Sequence, residues 1–206
     1  MRFSSFESVS VENHLTGRAY QLVRASDICC ETTIVARMVA TCNEPEVYDG
    51  YFRENLGGRP YTEHDARYWL KRSGAQWSRG ICFHFAVVDE MKMVAAACYI
   101  RGACYVRDPS YDDSGEIGYW ASQGHRGVMT NAITAMCVLA ADAGFRRLFA
   151  RTEKGNAKSQ AVLARAGFVW TRSGITYERF EVSLDGKGDG LGDPIAKSDA
   201  CADQIC

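Results

Sequence analysis

Gly115-Glu116-Ile117-Gly118-Tyr119-Trp120, then Ala121-Ser122-Gln123-Gly124-His125-Arg126-Gly127-Val128-Met129-Thr130, is the stretch whose reading decides the fold. After an alanine-rich run it continues as Ala150-Arg151-Thr152-Glu153-Lys154-Gly155-Asn156-Ala157-Lys158-Ser159 and closes at Gly167-Phe168. Ile117, Tyr119 and Trp120 suit a strand. Val128, Ala132, Ile133, Met136, Leu139, Ala140 and Ala143 recur at helical spacing and predict one apolar face. Gly144 marks the end of that helix. The order is strand, glycine-bearing loop, helix, strand, helix, strand. A loop of backbone amides opening into a helix N-terminus suits a phosphate or pyrophosphate.

Working outward, Tyr20–Arg24 reads as a first strand, with at most a short one before it around Ser8–Val11. Ser26 and Asp27 offer caps for a helix running to about Thr41. Residues 43–60 read as a loop or broken helix rich in aromatics and glycine. Thr62 and Asp65 stand in capping-box positions ahead of a helix that fades near Gly74. Ile81–Val88 and Met93–Tyr105 form a hairpin around Asp89-Glu90, and Phe168–Thr171 with Ile175–Val182 forms a last strand pair. The expected domain spans residues 20–184, after an N-terminal extension over 1–19. The Gly/Asp-rich composition of 185–206 cannot build a core and predicts a disordered tail.

The chain has 206 residues, enough for one domain with a full core. Its net charge of −1 argues against general nucleic-acid binding, which needs a basic excess. No run has the length of a membrane span, and the N-terminus lacks the apolar centre of a signal peptide, so a cytoplasmic protein is expected. Nine cysteines show neither a C-x-x-C pair nor zinc-ligand spacing to histidine. Reduced thiols and no metal are expected.

Glu116-Ile117-Gly118-Tyr119-Trp120, Arg126 to Ala132, Asn156-x-x-Ser159 and Gly167-Phe168, in this order, resemble the GNAT acyl-CoA N-acyltransferases, and more narrowly their RimJ/RimL-like branch. The resemblance spans about Tyr20 to Val182. It implies an α/β fold whose twisted mixed sheet is splayed between the family's fourth and fifth strands. It also implies acetyl-CoA as cofactor. The donor would lie against Tyr119, Trp120, Gly124, His125, Arg126, Gly127, Val128, Met129 and Thr130, with Asn156 on the pantetheine arm and Ser159 near the sulfur.

The family's six-residue pyrophosphate element fits in two registers. Counted back from Gly127, Gly124 takes the first place and Met129 the last; alternatively Arg126 takes the first place in a shortened loop. Many relatives carry a tyrosine acid where this chain has Leu163, which closes that route; the resemblance implies that Ser159 could protonate the leaving thiolate. Glu116 is the candidate general base for the amine. Tyr48, Tyr51, Phe52, Tyr61 and Trp69 lie where the family binds its acceptor, a small-molecule amine or a protein N-terminus. A homodimer is common in this branch. The competing reading is a non-catalytic acyl-CoA-binding module on the same fold. Each residue alone has a plainer explanation: a strand charge for Glu116, an N-cap for Asn156, core packing for about half the aromatics.

Overall fold

The computed structural model describes residues 3, 6–102 and 113–185. Eight strands form one mixed sheet: β1 Ser8–Glu12, β2 Ala19–Arg24, β3 Cys82–Val88, β4 Val94–Gly102, β5 Ser114–Ala121, β6 Arg147–Glu153, β7 Val169–Ser173 and β8 Tyr177–Ser183. Their spatial order is β1-β2-β3-β4-β5-β6-β8-β7, and only the β5–β6 pair is parallel. The helices are α1 Thr32–Cys42, the single turn α2 Pro45–Val47, α3 Glu63–Ser78, α4 Val128–Asp142 and α5 Ala157–Arg165. This mixed α/β architecture is the expected one.

Alternation along the strands sorts the core into two layers. Phe83, Phe85 and Val87 of β3 join Ile100 and Ile117 beneath the apolar face of α4, where Val128, Ala132, Ile133, Met136 and Ala140 are buried. Ala86, Val88 and Ala97 face the other way, onto α1, α3 and Trp120. Each layer keeps its helices because the opposite parity of the same strands fills it.

The parallel pair sets the functional geometry. β5 pairs with β6 only from Ser114↔Arg147 to Ile117↔Ala150, while its antiparallel ladder with β4 continues to Ala96↔Ala121. β6 meanwhile stays paired to β8 as far as Glu153↔Tyr177. Beyond Ile117 the two strands therefore part, and a wedge opens beside Gly118–Ala121. The parted strands are the family's fourth and fifth, and fifth and sixth here because β1 precedes them.

Local signals explain most boundaries. Thr62 and Asp65 form both bonds of the expected capping box, with Asp65 N donating to Thr62 Oγ1 and Thr62 N to Asp65 Oδ2. Three expectations shift, the first being that the helix after Thr62 runs on through Gly74 to Ser78. The first helix starts at Thr32 because Ala25–Asp27 makes only a 3-10 turn and Ile28 leaves it extended, burying its side chain. Ser8–Glu12 pairs with β2 along its whole length, so the sheet begins ahead of residue 20. At the other end Leu184 is buried. The expected tail lies outside the described residues from 186 on, as does most of the expected 108–113 loop. No helix among the described residues is long and apolar enough to cross a membrane.

Candidate active site

Two cavities meet at the wedge. One, of about 510 Å³, runs from Tyr119 and Ser159 past Asn156 to Gly127, Arg126 and His14. The other, of about 490 Å³, lies on the α1–α3 side and is lined by Phe52, Tyr61, Trp69, His84, Tyr99 and Arg101 among others. Tyr51 and Trp120 line both. Trp120 stands on β5 past the point where β6 departs. Tyr51 comes from the π-helical turn Tyr48–Phe52 that follows α2.

The first cavity is built around the start of α4. Gly127 is its N-cap at φ 97°, a left-handed conformation that any other residue adopts at a cost. A Cβ there would also run into Asn13 Oδ1 and Leu15. No side chain caps the helix, so its first amides and its dipole are left for an anion at the cavity wall formed by Gly127 and Met129. Arg126, Lys158 and Arg165 bring positive charge to the same cavity. Gly127 stands at the helix entry, a placement that both registers of the loop share.

The loop is held from two distant segments. Glu44 accepts from Ser122 Oγ at 2.6 Å and from Gln123 N at 2.8 Å. The turn between β1 and β2 does the rest: Asn13 Nδ2 donates to Arg126 O at 2.8 Å, and His14 Nδ1 lies 2.6 Å from Gly127 O. Tyr20 Oη lies 2.8 Å from His125 Nδ1, and burial first of all lowers the His125 pKa. His125 therefore faces the hairpin. Gly124, Val128 and Thr130 do not line the cavity, Gly124 being exposed and the other two buried; Thr130 Oγ1 accepts from Arg165 Nε at 3.2 Å.

At the sulfur end, Asn156 caps α5 by accepting from Ser159 N at 3.1 Å. Its Oδ1 is spent on the cap, as the plainer explanation expects, and the cap does not use the amide nitrogen. Ser159 Oγ lies 2.6 Å from Tyr119 Oη, which also donates to Ser159 O at 3.0 Å. Burial pushes the Tyr119 phenol up to about 12. Leu163 is fully buried in the core and offers no chemistry.

Glu116, Gly118 and Trp120 share the acceptor face of β5. Tyr99 covers Gly118 so closely that a Cβ there would lie 2.5 Å from its ring, so glycine is required. Glu116 lines neither cavity. Arg151 Nε and Nη2 donate to its Oε1 at 2.9 and 2.6 Å, and Arg101 Nη1 is 3.9 Å from its Oε2. Its side chain is 12% exposed, so the carboxylate is screened mainly by these guanidinium groups.

Of the expected acceptor residues, Tyr51, Phe52, Tyr61 and Trp69 line the second cavity, whereas Tyr48 turns away and donates to Arg59 O at 2.7 Å. Arg72, Gln76, His84, Tyr99 and Arg101 are additions that the sequence reading did not assign to the site. His84 is held down to about 4 by burial, then by Arg72 and Arg101. With the Gln76 amide turned, its oxygen accepts from Arg72 Nε and Nη2 at 3.2 Å and its nitrogen donates to His84 Nε2 at 2.7 Å. That orientation suits a neutral imidazole. Among the described residues no group of His, Cys, Asp and Glu is arranged to hold a metal ion.

The profile of the acetyltransferase (GNAT) domain matches residues 33–169, about two thirds of the chain. The chain belongs to the GNAT family. It is accordingly an acetyltransferase that uses acetyl-CoA. No curated protein matches it in a sequence search. Among solved structures, RimJ of Mycobacterium smegmatis in complex with CoA-disulfide is 15% identical at a TM-score of 0.67, covering 90% of this chain and 91% of that one. The ribosomal-protein-S5-alanine acetyltransferase of Vibrio fischeri is 18% identical at a TM-score of 0.65, covering 88% and 98%. The microcin C7 self-immunity acetyltransferase MccE, with acetyl-CoA and AMP, is 14% identical at a TM-score of 0.62, covering 80% and 92%. At these identities the structural likeness speaks for the GNAT fold alone.

Proposed function

We propose that this GNAT enzyme transfers the acetyl group to a primary amine by direct attack, with donor and acceptor held together in the two joined cavities. The observation that carries this reading is the meeting of the cavities at Tyr51 and Trp120, beside the parted strands. Acetyl-CoA, when bound, supplies the activated acyl carbonyl. The chain's residues suit it: uncapped α4 amides with Arg126, Lys158 and Arg165 for the phosphates, the Asn156 amide for the pantetheine arm, and Ser159 for the sulfur. Backbone N–H groups of β5 released from β6 are in place for the carbonyl oxygen.

Protons then move at two atoms. Glu116 Oε2, on the acceptor face two residues below Gly118, receives the amine proton through water. Ser159 Oγ gives its proton to the sulfur, the Tyr119 hydroxyl 2.6 Å away passes its own proton to Ser159, and solvent water reprotonates Tyr119. The 490 Å³ of the second cavity suits a small acceptor. Acceptors of the protein N-terminus type, which the names of the RimJ-like neighbours suggest, remain the second reading. A cytoplasmic location and a homodimer complete the proposal. Initial rates with both substrates varied test it: intersecting reciprocal plots are expected, whereas parallel lines would indicate an acetylated enzyme and overturn direct attack.

A further inference from the structure

The acceptor cavity is lined by aromatic rings and by two arginines that also reach solvent. Phe52 packs 4.8 Å from Tyr61 and 6.2 Å from Trp120, centroid to centroid, and Trp69 meets His84 edge-on at 5.9 Å. Such rings make a slot that takes a flat apolar body. Arg72 reaches the cavity from α3 and Arg101 from β4. Both guanidinium-bearing side chains line the same cavity as His84.

Their commitments differ. Arg101 keeps its contact to Glu116. Arg72 forms no ion pair among the described residues, and its polar partner is the uncharged Gln76 amide. Asp65, the one acid lining this cavity among the described residues, is spent elsewhere. It takes two bonds from Arg59 at 2.7 and 2.8 Å and one from Thr62 Oγ1 at 2.7 Å. Nothing described in the cavity would welcome a second cationic group, while a guanidinium fork matches a carboxylate.

We propose that the acceptor is a small aromatic amine that also carries a carboxylate, of the size of a free aromatic amino acid. Its ring lies among Phe52, Tyr61, Trp69 and Trp120, and its carboxylate sits on Arg72 with Arg101 beside it. The amine is then left to point toward the wedge. This inference rests on the acetyl-transfer reading and narrows it. It excludes polyamines, whose several ammonium groups would face two guanidinium groups. It also disfavours a protein N-terminus, which has no carboxylate next to its amine.

The test uses L-phenylalanine, L-phenylalaninamide, the tripeptide Phe-Ala-Ala and spermidine as acceptors, with acetyl-CoA and thiol release as readout. Wild type should prefer phenylalanine over its amide by roughly 10–100-fold in kcat/KM, the range of a charge-assisted pair. Arg72→Gln should remove most of that preference through KM; Arg72→Lys should restore part of it. Calorimetric titration of phenylalanine and of its amide into the CoA complex gives a second readout, independent of turnover. An amide or tripeptide that serves as well as phenylalanine overturns the inference, as does a preference that survives Arg72→Gln. If no amine is acetylated, the acetyl-transfer reading fails, and equal or absent binding in the titration overturns the carboxylate anchor separately.

Discussion

Two short hydrogen-bonded pairs hold the side chains proposed to move protons. Glu116 is clamped through Oε1 by Arg151, so its remaining oxygen has a fixed direction. Glu116→Gln should lower kcat by about 10²–10⁴-fold, with partial recovery as rising pH supplies free amine, and leave CoA affinity almost unchanged. A small effect with an unaltered pH profile would make Glu116 a support for Arg101 and Arg151. Ser159 and Tyr119 form the second pair. If Tyr119 refills Ser159, then Tyr119→Phe and Ser159→Ala should each lower kcat to a similar degree. The double variant should be barely worse than either, since linked residues act as a unit. Additive losses in single-turnover rates would show that the two act separately.

The loop that enters α4 is an element whose shape is imposed by neighbours distant in sequence. Its 3-10 turn, Gln123–His125, is pinned by Glu44 on one side and by the Asn13–His14 turn on the other. Gly127→Ala would force an L-residue to φ 97° and push its Cβ into Asn13 and Leu15. We expect a stability loss of about 1–2 kcal/mol from the backbone alone. A CoA affinity weakened by roughly tenfold is expected as the α4 amides shift, since each tenfold is about 1.4 kcal/mol. Denaturant titration and calorimetry measure the two effects. Unchanged affinity despite the lost stability would mean that the α4 entry does not hold the phosphates.

For the molecule as a whole, the buried imidazole of His84 ties stability to acid. Its folded pKa of about 4 lies below the ordinary 6.5. Between those values the unfolded chain binds a proton that the folded chain refuses. Stability therefore falls as pH drops from 6.5 towards 4, by at most about 1.4 kcal/mol per pH unit. His84→Gln should flatten this part of the wild-type profile, and an identical slope in the variant would assign the acid sensitivity to other groups. Binding at the first cavity acts on the same global equilibrium. Saturating CoA at 100 times its Kd should raise stability by about 2.7 kcal/mol, visible as an upward shift in Tm. No shift would remove that cavity as the donor site.

Much of this was legible in the chain itself because it is local. The capping box at Thr62, the apolar face of α4, the Asn156 cap and the glycine before Val128 all depend on residues within a few positions of one another. Helical and strand periods report such relations directly. Lys158 and Arg165 were within reach too, since they flank Ser159 and Val162 on the cavity side of α5. The meeting of elements decided the rest. His14 and Gly127 are 113 positions apart, and Glu44 and Gln123 are 79 apart, so no periodicity connects them. Arg72 belongs to no local pattern, and only the fold brings it to the cavity that Tyr99 and Arg101 of β4 also line. Tyr48, one turn from Tyr51, faces away because the π-helical turn rotates successive aromatics to different sides. A side chain's neighbours across the sheet depend on long-range packing, and that packing turned scattered arginines and aromatics into a cavity.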